Sequence, residues 1–147
     1  MMTAARVVLV TLMAILLAGC TGADSSTVRN RPLPRSYAFY DLKISWETTR
    51  DPQGVTITGT VRNQSYYYIR DLELTASLLD ANGTPFAEET FFFLPNLFAL
   101  DETAPFTIRF PVGEDKQPDT IRFFYRYRLA EEGQHGTPRF HSFTGKP

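Results

Sequence analysis

Tyr40-Asp41-Leu42-Lys43-Ile44-Ser45-Trp46-Glu47 is the stretch whose reading decides the fold. Tyr40, Leu42, Ile44 and Trp46 alternate with four polar residues. Successive side chains of a strand point to opposite faces, so a period of two predicts a strand with one dry and one wet face. Outward from it the pattern repeats. Asp51-Pro52-Gln53-Gly54 has turn composition, and Val55, Ile57, Gly59 and Val61 then alternate with Thr56, Thr58, Thr60 and Arg62. Leu72, Leu74, Ala76 and Leu78 make a third alternation, closed by the turn residues Asp80-Ala81-Asn82-Gly83.

Four more segments follow: Phe86 to Leu94, then Phe106, Ile108 and Phe110, then Ile121 to Leu129, and a short last strand from Pro138 to Phe143. Leu97 to Glu102 is expected to form a brief helical turn. Short strands at this spacing predict an all-β fold: a single antiparallel immunoglobulin-like β-sandwich of about seven strands over residues 37–147. In such a sandwich the third and sixth strands pair, which would set Asp71 and Glu73 beside the arginines of the sixth. The 12 phenylalanines and 7 tyrosines supply apolar area for a core that a single cysteine cannot staple.

Gly59-Thr60-Val61-Arg62-Asn63-Gln64-Ser65, Ile69 to Leu74 and Leu78 to Gly83 together resemble the bacterial FxLYD-type domains. The shared pattern is G-x-V-x-N-x-S, an alternating strand, and a Phe-bearing strand after an acidic turn, here Asp101-Glu102 before Phe106. Leu79 stands where that family often has tyrosine, and the resemblance covers about half of the chain. It implies an immunoglobulin-like sandwich in an exported protein and transfers no active site.

The amino terminus gives an address. Arg6 precedes an apolar run, Val7 to Leu17, which ends in Ala18-Gly19-Cys20. A basic start, a short apolar stretch and small residues before a cleavage point predict a secretory signal peptide over residues 1–19. The run is shorter than the ~20 apolar residues a membrane-spanning helix needs. Leu17-Ala18-Gly19-Cys20 resembles the lipobox of bacterial lipoproteins. That resemblance implies cleavage between Gly19 and Cys20, a diacylglyceryl group and palmitate-type acylation on Cys20, and a membrane anchor. In enteric-type sorting an aspartate after the cysteine retains lipoproteins at the inner membrane. Thr21 therefore favours the outer membrane, facing the periplasm. Residues 20–36, with Pro32 and Pro34 and no apolar period, read as a flexible tether.

Without residues 1–19 the chain has 14 Lys+Arg against 16 Asp+Glu, a formal charge of −2 that gives no reason to expect nucleic acid as a partner. An envelope protein is the expected partner besides the membrane. Glu131, Glu132, His135 and His141 are the residues from which an acid–base or metal site would have to be built, and their spacing matches no zinc pattern. No enzyme, cofactor or metal is expected. Two surface groups are candidates for binding. Arg122, Phe124, Arg126 and Arg128 share the outward face of the sixth strand, and Tyr66-Tyr67-Tyr68 sits at a strand junction where at least one ring must face solvent. The expected function is that of a non-catalytic binding or assembly module in the cell envelope. A saccharide- or lipid-binding module is the alternative, and an enzyme acting on envelope polymers the remote one.

Overall fold

The computed structural model describes residues 32–133 and 136–147. The lipobox, the signal peptide and most of the stretch read as a tether lie outside them, as does His135. Nine strands, β1 (Arg35–Phe39), β2 (Leu42–Asp51), β3 (Gly54–Asn63), β4 (Ile69–Leu79), β5 (Pro85–Phe92), β6 (Leu97–Phe98), β7 (Thr103–Phe110), β8 (Thr120–Leu129) and β9 (Arg139–Gly145), form two antiparallel sheets. One sheet has the order β1-β2-β3-β7, and the other β5-β4-β8-β9 with β6 also paired to β4. Each sheet turns one apolar face inward, and the core fills the space between. The fold is the all-β sandwich expected.

The inward faces are the alternating sets. Leu42, Ile44 and Trp46 from β2 and Val55, Ile57 and Val61 from β3 meet Leu72, Leu74, Ala76 and Leu78 from β4 and Ile121, Phe123, Tyr125, Tyr127 and Leu129 from β8. Among the described residues, the buried large hydrophobic side chains all fall between Leu42 and Phe143. Gly59 is small for a reason of packing: a Cβ there would lie 2.3 Å from the Ser45 carbonyl and 2.5 Å from the Phe106 ring. The third and sixth of the expected strands, β4 and β8, are paired along their length.

Several details differ from the sequence reading. The first alternation is two strands, because Tyr40-Asp41 is a two-residue turn that folds β1 back on β2. Tyr40 therefore leaves the dry face and is 83% exposed. β1 also begins at Arg35, inside the stretch read as tether. Leu97 to Glu102 is no helical turn: Leu97–Phe98 pairs with Ile69 and Arg70 of β4 before the chain turns at Leu100-Asp101. Pairing satisfies backbone groups that an isolated helical turn would leave open.

Candidate functional site at the aromatic end

Four connections meet at one end of the sandwich: the β1–β2 turn, residues 64–68, residues 93–102 and residues 130–138. Asn63 ties two of them together. It is 0% exposed, and its Nδ2 donates to the carbonyls of Tyr67 (2.8 Å), Phe98 (3.3 Å) and Ala99 (3.0 Å). Its Oδ1 accepts from the Ser65 backbone N–H (2.9 Å) and the Ser65 hydroxyl (2.7 Å). The Gln64 N–H donates to the Asp41 carbonyl at 2.7 Å, and the Ala130 N–H to the Tyr68 carbonyl at 2.8 Å. A buried asparagine with its amide fully used fixes loops that have no regular ladder of their own.

What these loops present is apolar. Of eleven exposed large hydrophobic side chains among the described residues, ten lie in these connections or at the strand ends that enter them. Phe124 alone is mid-strand. All three of Tyr66, Tyr67 and Tyr68 are exposed, Tyr66 at 89%. Leu94 is 86% exposed. Tyr40 takes φ 47° at the first turn position. A glycine would sit there with less strain, since a residue with a Cβ costs on the order of 1 kcal/mol more.

A pocket of about 290 Å³ opens on the flank of this end, between the β1–β2 turn and strands β8 and β9. Phe39 and Tyr40 stand at its mouth, while the neighbouring Phe140, 70% exposed, turns its ring to the outer face of the sheet. Tyr125 and Tyr127 line its inner side. The Tyr127 hydroxyl donates to Asp41 Oδ2, and Arg139 lies 3.6 Å from the same oxygen and 3.1 Å from Glu132. The Glu132 carboxylate, foremost, raises the pKa of Arg139. Burial, first, and then the Asp41 carboxylate raise that of Tyr127, while burial dominates for Tyr125. His141 Nε2 shares a 2.9 Å hydrogen bond with the Tyr37 hydroxyl, and its ring stacks on Phe39 with centroids 3.8 Å apart. A larger depression, about 450 Å³, lies at the opposite end beside Gly54, Arg109 and Pro111. The smaller pocket is the better site because its polar groups are already joined and its rim is aromatic.

The residues singled out by sequence are only partly brought together. Arg126 pairs with Glu73 at 2.7 Å and Arg128 with Asp71 at 3.0 Å, the cross-strand partners that β4–β8 pairing implies. Asp71 reaches Arg128 because β4 carries a bulge there, with Asp71 at φ 54° and hydrogen-bonded to Asn96. That Asn96 bond, chiefly, lowers the Asp71 pKa. Phe124 and Phe140 rings lie 6.2 Å apart on the outer face. Glu131 accepts from the Tyr68 N–H at 3.2 Å and Glu132 from Arg139, so the two glutamates serve loop and strand contacts. Among the described residues no group of three or more His, Cys, Asp and Glu side chains is placed to hold a metal ion. The sequence reading missed Phe39, Tyr40, Asp41, Arg139 and Phe140 as a group. Polar Asp41 after the aromatic pair Phe39-Tyr40 was the available signal for a turn.

No family model and no curated protein matches the chain. Among solved structures, the chain is similar to a Bordetella pertussis protein provisionally named ApaA, at 18% identity and a TM-score of 0.46, over 77% of this chain and 95% of that one. It is also similar to a target of the Northeast Structural Genomics Consortium, at 13% identity and a TM-score of 0.40, over 77% of this chain and 86% of the other. Neither likeness bears on function.

Proposed function

We propose that this chain is a lipid-anchored lipoprotein of the bacterial cell envelope, held at the outer membrane through acyl chains on Cys20 and facing the periplasm. Its sandwich acts as a non-catalytic binding or assembly module. The observation that carries the binding role is the gathering of exposed aromatic and leucine side chains at the end organised by Asn63. Exposed apolar patches of this kind on a protein with a closed core mark interaction surfaces. The lipobox supports the anchor, and two or three acyl chains hold a domain at a membrane where one binds only marginally. Anchoring raises the effective concentration of the sandwich toward any membrane partner.

A second reading, a saccharide-binding module, is favoured by the pocket, where Phe39 and Tyr40 offer aromatic rings beside the Asp41–Arg139 pair. The anchor is tested by feeding cells an alkyne analogue of palmitate. Label is expected in the wild-type protein, recovered in the membrane fraction, and absent from Cys20→Ala. An unlabelled wild type, or equal label in both, overturns the anchor.

A further inference from the structure

The polar groups at the aromatic end suit a particular occupant. Six acidic side chains lie there, and each is already partnered. Asp101 pairs with Arg62 at 2.9 Å, Asp71 with Arg128 at 3.0 Å, and Glu132 and Asp41 with Arg139 at 3.1 and 3.6 Å. Glu102 accepts from the Ala99 N–H at 2.6 Å and Glu131 from the Tyr68 N–H at 3.2 Å. Beyond them project Tyr40, Tyr66 and Leu94, the three most exposed large hydrophobic side chains among the described residues. Tyrosine has an apolar ring and a polar tip, which suits the headgroup level of a bilayer, and leucine suits the acyl boundary below it.

We infer that this end of the sandwich seats on a lipid surface, with Tyr40, Tyr66 and Leu94 entering the headgroup–acyl boundary. The inference rests on the reading of Cys20 as a lipid anchor for its biological setting, and the reach of the chain agrees with it. Fifteen residues, 20–34, lie between Cys20 and β1. The five residues of β1 run only ~17 Å from Arg35 to the turn that carries Tyr40. At up to about 3.3 Å per residue, that length of chain exceeds the length of β1 about threefold. Arg62, Arg128 and Arg139 pair with four of the six carboxylates, and Glu102 and Glu131 bond only to backbone N–H groups, so no attraction to anionic headgroups is called on. The binding is apolar, toward uncharged lipid, and persists at high salt.

The test uses residues 20–147 with Cys20→Ser, which contain both sheets and every buried core residue among those described and carry no acyl chain. Cys20 is the only cysteine, so an environment-sensitive fluorophore can be placed at Tyr66→Cys or, at the opposite end, at Asn82→Cys. Phosphatidylcholine vesicles at millimolar lipid are expected to shift the emission at position 66 to the blue and leave position 82 unchanged. The triple variant Tyr40→Ser, Tyr66→Ser, Leu94→Ser changes only exposed side chains, and should lower vesicle cosedimentation by at least about tenfold. No shift at position 66, equal shifts at both positions, or unchanged cosedimentation of the triple variant overturns the proposal. A partner protein would then be the occupant of this end. Because the chain tested cannot be acylated, the result is independent of the palmitate experiment, and either reading can fail alone.

Discussion

The two ends of the sandwich are built with similar local devices and present opposite surfaces. At the end away from Tyr40, Asp51 Oδ1 accepts from the Gln53 N–H at 2.8 Å, and Asp80 Oδ1 accepts from the N–H groups of Asn82 and Thr84 at 2.9 and 2.8 Å. These are ordinary self-contained turns of Pro, Gly, Asp and Asn, and none of the exposed large hydrophobic side chains lies in them. At the aromatic end the corresponding aspartate-like role falls to Asn63, which is buried and bonds to two connections rather than within one. Chain reversal alone needs only the first kind of turn. The second kind holds an apolar surface in place against its tendency to collapse or rearrange, and that difference is why the proposed binding surface is set at this end.

Replacing Asn63 by alanine should show the largest effect. It leaves the carbonyls of Tyr67, Phe98 and Ala99 without their donor and the Ser65 donors without their acceptor. A loss of about 3 kcal/mol is expected in chemical denaturation. Amide exchange should also accelerate in residues 64–68 and 93–102. Asp80→Ala, the matching change at the other end, removes two acceptor contacts in a half-exposed turn and should cost about 1 kcal/mol. Equal losses would erase the distinction between the ends.

Alkaline pH separates the ends next. Tyr125 and Tyr127 are buried beneath the aromatic end, and burial raises the pKa of both above the usual tyrosine range. For an acid whose folded pKa is raised, the unfolded chain loses the proton first. The stability is thus fully present below the unfolded value, near 10, and falls as pH rises above it. Unfolding followed by denaturant at pH 9 and pH 11 should show this loss. Tyr127→Phe should reduce the slope while lowering stability at neutral pH by about 1 kcal/mol, through the Asp41 hydrogen bond. An unchanged slope in Tyr127→Phe would mean that the titration belongs elsewhere.

Why one end was legible in the sequence and the other was not follows from range. The strands announce themselves by alternation within one segment, as Leu42-Ile44-Trp46 and Leu72-Leu74-Ala76-Leu78 do, and β4–β8 pairing follows from the sandwich topology. The polar turns at Asp51 to Gly54 and Asp80 to Gly83 are equally local. Tyr66-Tyr67-Tyr68 was visible because three rings in succession cannot share one face. The pocket was not visible, since Asp41 and Arg139 are 98 positions apart and meet only when β9 closes the second sheet. Tyr40 was misplaced for a subtler reason. It keeps the period of two, yet the backbone reverses beneath it, and a positive φ at a tyrosine leaves no mark in the hydrophobic pattern.

The smallest effect is expected at the arginine stripe, which belongs to neither end. Arg126 holds Glu73 with two hydrogen bonds, of 2.7 and 2.9 Å, on the open face of the β4–β8 pair, and the guanidinium is about half exposed. A pair this wet contributes little, since water and salt screen both partners, so Arg126→Ala should leave thermal and chemical unfolding nearly unchanged. Arg128 sits one rung nearer the aromatic end, is less exposed, and also donates to the Gly136 carbonyl at 3.2 Å, so Arg128→Ala should cost about 1 kcal/mol. A gradient in that order, with vesicle binding intact in Arg126→Ala, would confine the functional surface to the loops. Loss of vesicle binding in Arg126→Ala would instead extend that surface down the face of the sheet, toward Phe124 and Phe140.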